Sequence, residues 1–454
     1  MIDQGISTIS GRRVLLLQGP VGPFFSRLAH DLRAVGASVH KINFNAGDWL
    51  FYPHNAINFR GTLEEWPDFL NAVIDKHRIE TILLFGDCRP VHQAARQLAW
   101  ERGLELGVFE EGYIRPDYVT FERHGVNANS RIPRNPRFYL SKPVTEEPTH
   151  ITLPNAYWYM VLWGFLYFTV GSLGRFIFSG YRHHRPMKLA QALPWIRSAI
   201  RKQWYRLGQH RSLKRLTGEL SGHFFLVPLQ VYNDAQIKVH STYKDIRPFI
   251  EEVVASFAKA ADKDAFLVFK HHPMDRGYTH YGKQIAASAK RHGVEQRCLY
   301  IHDLHMPTLL ANAQGVIVIN SVSGLQALRK GVPVKTLGEA VYDMMNLCFQ
   351  GSLDEFWVKA SQATPEPFLL QQFVHYLIER TQVNASFYRV RSDATTATGM
   401  QWQTRSPLPV PDAIRSDIMS RDITPHDTML PNAVLAHLRD IQHKEQPSSL
   451  RTYP

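Results

Sequence analysis

Three short stretches carry side chains suited to chemistry. Glu110 and Glu111 stand side by side in FEEGYIRPDYV, residues 109–119, after the apolar run 106–109 and before Gly112. A carboxylate in a cleft serves as general base or nucleophile, and a neighbouring glycine lets a backbone or sugar ring approach closely. Taken alone, such a pair more often marks an exposed turn. Lys270, His271 and His272 precede Pro273 in FKHHP. Together they can neutralise a phosphate, and a histidine can protonate a leaving phosphate oxygen; a basic loop ending at a proline is the plain alternative. In INSVSGLQALRKGVPV, residues 319–334, Asn320, Ser321, Ser323 and Gly324 fall where a strand passes into a helix. Free backbone N–H groups and small hydroxyls make a phosphate seat there, although capping alone accounts for one serine.

These stretches lie at the ends of predicted strands. Apolar runs at 14–17, 39–42, 81–85 and 106–109 alternate with helical patterns such as 91–102, and the alternation restarts at 224–227, 266–269, 299–301, 315–319 and 334–337. Strands alternating with helices predict parallel sheets covered on both faces. The chain has 454 residues, 44% of them hydrophobic and 20% charged, which predicts a globular protein of two domains. The expected division is residues 1–150, an insert at 151–220, a second Rossmann-like unit at 221–390 and a loosely packed tail at 391–454, with a late helical piece at 431–443. A ligand then sits between the units at the carboxyl ends of the strands. Gln230 and Asp234 in LQVYND end one such strand, and Glu339 in LGEAVYD is placed to hold a ribose. The loop LLQGPVGPFF, residues 16–25, is neither GxGxxG nor a Walker A loop, since Gly19 and Gly22 are each followed by proline; a tight turn and a binding loop both remain open. Three scattered cysteines suggest no disulfide framework or zinc site, which predicts a reducing compartment and a cytoplasmic protein.

Charge is unevenly spread. The net charge is +12, and eleven lysines and arginines fall between Arg175 and Arg215, while no Asp or Glu occurs between Pro148 and Gly218. This basic region follows YWYMVLWGFLYFTVGSLG, residues 157–174, a run without a charge. Its length raises a transmembrane helix. A single crossing, however, would part Glu110 from His272, and Trp and Tyr throughout suit a membrane interface better than a bilayer centre. The reading is therefore a hairpin lying on an anionic membrane surface through Trp158, Trp163, Arg197, Arg201, Lys202 and Trp204, with a buried helix pair and nucleic-acid stacking as the alternatives. No nucleic-acid-binding motif supports the last, and nucleic acid is not an expected partner.

Order sharpens what each motif leaves open. An acidic-acidic-Gly motif, then a His-Pro motif, then a Ser-rich motif resembles bacterial transferases that use CMP-activated sialic acid or Kdo. The runs RRVLLLQGPVGPFFSRLAHDLRAVGASVHKINFNAGDWLFYP, LLFGDCRPVH, VPLQVYNDAQI and NSVSGLQALRKGVPVKTLGEAVYD look like the capsule polysaccharide biosynthesis/export proteins of the KpsS/LipB type. The resemblance covers most of residues 12–345 outside the insert. It implies an α/β GT-B enzyme, two Rossmann-like domains facing a cleft, with a basic-aromatic helical insert. It further implies transfer of β-Kdo from CMP-Kdo to a glycerophospholipid, phosphatidylglycerol being the expected acceptor, as the lipid primer of a Gram-negative capsule. Because CMP-Kdo is β-configured, a β product means retention, which a carboxylate adduct delivers. Carried over by motif, Glu110 and Glu111 supply the catalytic carboxylate; Glu111 stands where some relatives have Asp. His272 contacts the donor phosphate beside Lys270, and Ser321 and Ser323 bind it at the helix start. Arg115 is a candidate for the Kdo carboxylate. On the acceptor side the same runs contribute Gly19, Gly22, Asn43, Asn45, Asp87 and Arg89. Neither cofactor nor metal is expected, since CMP carries one phosphate. The implied location is peripheral on the inner membrane, with other capsule proteins as possible partners. Two rival readings stand beside this one: a non-catalytic adaptor between capsule synthesis and export, and a CMP-sialic acid transferase.

Overall fold

The computed structural model describes residues 5–143, 150–180 and 192–402. Two sheets organise them. The first runs in the order β12-β6-β5-β4-β1-β2-β3. Its parallel centre consists of β1 (Arg13–Leu16), β2 (Ser38–Asn43), β3 (Ile57–Asn58), β4 (Thr81–Phe85) and β5 (Glu105–Glu111). Two antiparallel strands close it, β6 (Tyr118–Arg123) and, arriving from far along the chain, β12 (Gln382–Asn384). The second sheet, β11-β10-β7-β8-β9, is parallel throughout: β7 (Phe224–Pro228), β8 (Phe266–Lys270), β9 (Cys298–Ile301), β10 (Gly315–Val318) and β11 (Val334–Thr336). Every residue of β7 is buried, the pattern of a central parallel strand covered by helices on both faces. This is the two-unit α/β architecture of the GT-B type.

The boundaries differ from the expected ones in three places. Strand β5 extends through Glu110 and Glu111, which pair with Thr120 and Val119 of β6. The carboxylates therefore lie within a strand and not behind it, because the antiparallel partner prolongs the ladder. Second, the chain leaves the second unit through the helix Pro367–Thr381 and returns to the first sheet as β12 before residue 390. Third, residues 394–402 are packed, not loose. Met400 is buried against the first unit, and the buried Asp31 carboxylate accepts from the N–H groups of Ala397 (2.6 Å) and Thr398 (2.9 Å) and from the Thr398 hydroxyl (2.6 Å). The expected late helix at 431–443 lies outside the described residues.

Among its described residues the insert supplies three α-helices: Tyr157–Leu173 and Ala192–Gly208, each of 17 residues, and the shorter His210–Thr217. Among the described residues no helix is long and apolar enough to cross a membrane.

Candidate active site

The first unit contributes the carboxyl ends of β4 and β5. After β4 the chain turns at Gly86, whose φ of 70° favours glycine; a Cβ there would stand 3.3 Å from Glu110 Oε2. Asp87, Cys88 and Arg89 follow, and Pro90 opens the next helix. Neighbours in a strand point to opposite faces, so Glu110 and Glu111 have different surroundings. Glu110 lies over Gly86. Burial pushes its carboxyl up to about 7, aided by repulsion from Glu111 and Asp87 and opposed by the Glu111 N–H (3.0 Å) and the Arg89 charge. Glu111 instead accepts from the hydroxyl of Tyr388 at 2.9 Å, a residue brought in by the segment after β12.

The second unit contributes the ends of β7, β8 and β10. Gln230 Nε2 donates to Asp234 Oδ2 (3.1 Å) and Asn320 Oδ1 (3.0 Å), joining the loops after β7 and β10. Asp234 caps the helix Ala235–His240, and Ser321 caps Val322–Leu328 by accepting from the Ser323 N–H at 3.2 Å. Gly324 is required at that helix start, since a Cβ would collide with the Tyr342 hydroxyl. His272 is half-buried and its Nδ1 accepts from the Met274 N–H at 3.1 Å. Glu339 is exposed, and its N–H donates to the carbonyl of His240 at 2.9 Å.

A contact that nothing in the sequence signals joins the two units. Cys88 Sγ lies 3.3 Å from His240 Nε2 and, on its other side, donates to Asp87 Oδ1 at 3.3 Å. Asp87 Oδ2 accepts from the Val126 N–H (3.1 Å) and from Asn129 Nδ2 (2.9 Å), and Asn129 also reaches His240 at 3.4 Å. His240 ends the helix that Asp234 begins, so this latch sets the carboxyl ends of β4 and β5 against the loops of β7 and β10. A histidine in the last turn of a short helix has no distinguishing sequence pattern.

Other predicted residues are placed elsewhere. Lys270 and His271 are buried: Lys270 Nζ donates to the His302 carbonyl at 3.1 Å, and His271 Nδ1 pairs with the Tyr300 hydroxyl at 2.7 Å. Burial lowers Lys270 to about 8 and His271 to about 4. They brace the end of β8 beneath the loop that carries His272. Asn43 is fully buried and donates to the Tyr52 carbonyl (3.0 Å), and Asn45 caps the helix Ala46–Phe51; both build the first unit's interior, since their polar atoms are needed where β2 ends. Gly19 stands against the Phe25 ring and Gly22 against Trp163. Arg115 is exposed, with Nε donating to the Gly112 carbonyl of its own turn at 2.9 Å. Arg89 donates to Gln18 Oε1 at 2.9 Å.

The insert also divides differently from the expected membrane set. Arg197 bonds the carbonyls of Gly277 and Tyr278, and Arg201 that of Arg276 at 2.8 Å, so both tie the second insert helix to the second unit. Trp163 is half-buried and donates to the Tyr388 carbonyl at 3.1 Å. These three are structural. Trp158 and Trp204 remain 76% and 75% exposed, in company with Phe165, Phe176, Ile196 and Ile200. Lys202 lies over the Tyr157 ring at 5.1 Å.

The polar strand ends of the two α/β units thus meet at the Cys88–His240 contact. The chain belongs to the capsule polysaccharide biosynthesis protein family, whose pattern matches residues 80–388. It is 41% identical over 382 residues to the capsule polysaccharide export protein KpsS of Escherichia coli, covering 84% of this chain and 98% of that one. It is 37% identical over 409 residues to the capsule polysaccharide modification protein LipB of Neisseria meningitidis, covering 86% and 96%. Among solved structures, it resembles the β-Kdo 2,7-transferase KpsC of Thermosulfurimonas dismutans at 18% identity and a TM-score of 0.36, over 76% of this chain and 92% of that one.

Proposed function

We propose that the protein is a glycosyltransferase that moves β-Kdo from CMP-Kdo to a glycerophospholipid, phosphatidylglycerol in the first instance, on the inner face of the cytoplasmic membrane. The observation that carries this reading is the environment of Glu110: a carboxylate raised to about 7, held at the cleft beside Asp87 and Arg89, and set against the second unit by the Cys88–His240 contact. Glu110, not Glu111, is the reacting group. In its ionised form its oxygen attacks the anomeric carbon as the bond from that carbon to the CMP phosphate oxygen breaks, and CMP departs with both bonding electrons. The lipid hydroxyl then displaces the carboxylate from the opposite face and passes its proton to water, so the β configuration is retained. His272, Ser321 and Ser323 support the phosphate as its charge grows. Residues exposed on the insert, Trp158, Trp204 and Lys202 among them, supply a face for an anionic lipid surface.

The test is mass spectrometry of products from purified protein, CMP-Kdo and phosphatidylglycerol in detergent, with Glu110→Gln, Glu111→Gln and His272→Ala in parallel. A Kdo-lipid that forms with wild type and vanishes with Glu110→Gln supports the reading. Folded wild-type protein that releases no CMP sinks it and favours the adaptor role; product with CMP-sialic acid alone would change the donor.

A further inference from the structure

The first insert helix, Tyr157–Leu173, buries the Tyr167 hydroxyl in the first unit. Tyr167 is 4% exposed, and its hydroxyl donates to Asp48 Oδ1 at 2.9 Å while accepting from Asn45 Nδ2 at 2.7 Å and from Gln18 Nε2 at 3.1 Å. Gln18 is itself buried, and its Nε2 also reaches Asp48 Oδ2 at 3.3 Å. An amide nitrogen only donates and its oxygen only accepts. With Nε2 directed at Tyr167 and Asp48, Gln18 must turn Oε1 the other way, where it accepts from Arg89 Nη1 at 2.9 Å. Arg89 is further held over the Phe85 ring at 5.2 Å. It follows Gly86 by three residues, and the Gly86 N–H donates to the Phe109 carbonyl at 2.8 Å, directly ahead of Glu110.

We propose that Tyr167 and Gln18 are positioning residues, which fix Arg89 beside Glu110 and so link the insert helix to the charge state of the cleft carboxylate. The same helix exposes Trp158, Phe165 and Leu173 on its outer side, so the face open to a lipid surface and the atom that orients Gln18 belong to one rigid element. This rests on the reading of Glu110 as the reacting group for its meaning, though not for its test. The charged and titratable groups around Glu110 are Glu111 on β5, Asp87, Cys88 and Arg89 after β4, and Tyr388 from the segment after β12. Of these Arg89 is the cation, and its attraction works against the upward push of burial. Loosening Arg89 therefore raises the Glu110 midpoint.

Infrared titration of the full chain reads this without any substrate: the carboxylic-acid C=O band that Glu110→Gln lacks gives the Glu110 midpoint. Tyr167→Phe, Gln18→Leu and Arg89→Met should each raise it, by about half a pH unit to one unit. The Tyr167→Phe/Arg89→Met pair should shift it no further than Arg89→Met alone, as expected of residues acting through one another, and Arg89→Lys should restore part of the shift. Near-UV circular dichroism identifies folded variants, and Gln18→Leu serves if Tyr167→Phe is unfolded. A wild-type midpoint in folded Tyr167→Phe or Gln18→Leu overturns the proposal, as does full additivity in the pair. If the midpoint moves as expected while wild type transfers no sugar, the linkage stands and the transferase reading falls.

Discussion

The two sheets start from similar strand-helix alternation and end differently. The second is parallel from edge to edge, and its polar residues gather in loops at the strand ends, where Gln230 ties Asp234 to Asn320. The first acquires two antiparallel strands, β6 and β12. One lengthens β5 until it contains both carboxylates; the other brings Tyr388 to Glu111. In the parallel unit the candidate residues sit on loops that a helix start can pre-arrange. In the mixed unit the candidate acids sit on a strand, whose two-residue period turns neighbours toward different surroundings.

The contrast breaks most sharply at the acids. Glu110→Gln should lower CMP release from CMP-Kdo by about a thousandfold or more, and Glu111→Gln by only about tenfold. Steady-state assays decide this, and the reverse ranking would place the reacting group on the Tyr388 side. Next in size is the chain's return to the first unit. Asp31→Ala strips the acceptor from three donors of Ala397 and Thr398, which should cost about 2–4 kcal/mol. Urea denaturation measures the loss, and hydrogen exchange should locate it in the first unit.

In the second unit, Gly324→Ala forces a methyl against the Tyr342 hydroxyl. It should cost about 1–3 kcal/mol and weaken CMP binding, read by calorimetry, while leaving the Glu110 midpoint unchanged. A smaller effect comes from proton linkage. Glu110 has an ordinary value of 4.5 and is raised to about 7 in the fold, so between these values the native state holds a proton that the unfolded chain has released. Glu110's own contribution to stability therefore falls as pH rises from about 4.5 to 7, while His271, lowered to about 4, acts in the opposite sense; the difference between wild type and Glu110→Gln isolates the Glu110 fall, about 1–2 kcal/mol once discounted for the residue's exposed edge. Glu122, also raised to about 7 by burial, keeps its own contribution in the variant. Denaturation midpoints across this range check the sign. Smallest is Trp204→Ala, which should change stability by less than about 0.5 kcal/mol yet reduce sedimentation with phosphatidylglycerol vesicles; unchanged binding would remove Trp204 from the lipid face.

Much of this was legible along the chain. Apolar runs such as Thr81–Phe85 and Phe224–Val227 mark buried parallel strands because both faces of such strands exclude water, and hydrophobicity records that locally. The Ser321 cap was readable for the same reason: its partner is two residues away. Arg197 and Arg201 bond the carbonyls at 276–278, a use that the sequence does not separate from lipid contact because a basic helix looks alike in both.

By itself, then, the sequence determined the α/β class, the pairing of two units, the family and the short polar stretches at strand ends, all of which depend on near neighbours or on an ordered set of motifs. The tertiary structure alone decided that Glu110 and Glu111 part company, that β12 and residues 394–402 belong to the first unit, and that Cys88 meets His240. These contacts join residues from 31 to 398 through pairings with no local pattern, and a buried hydrogen bond takes its partner from whatever chain segment the packing brings within reach.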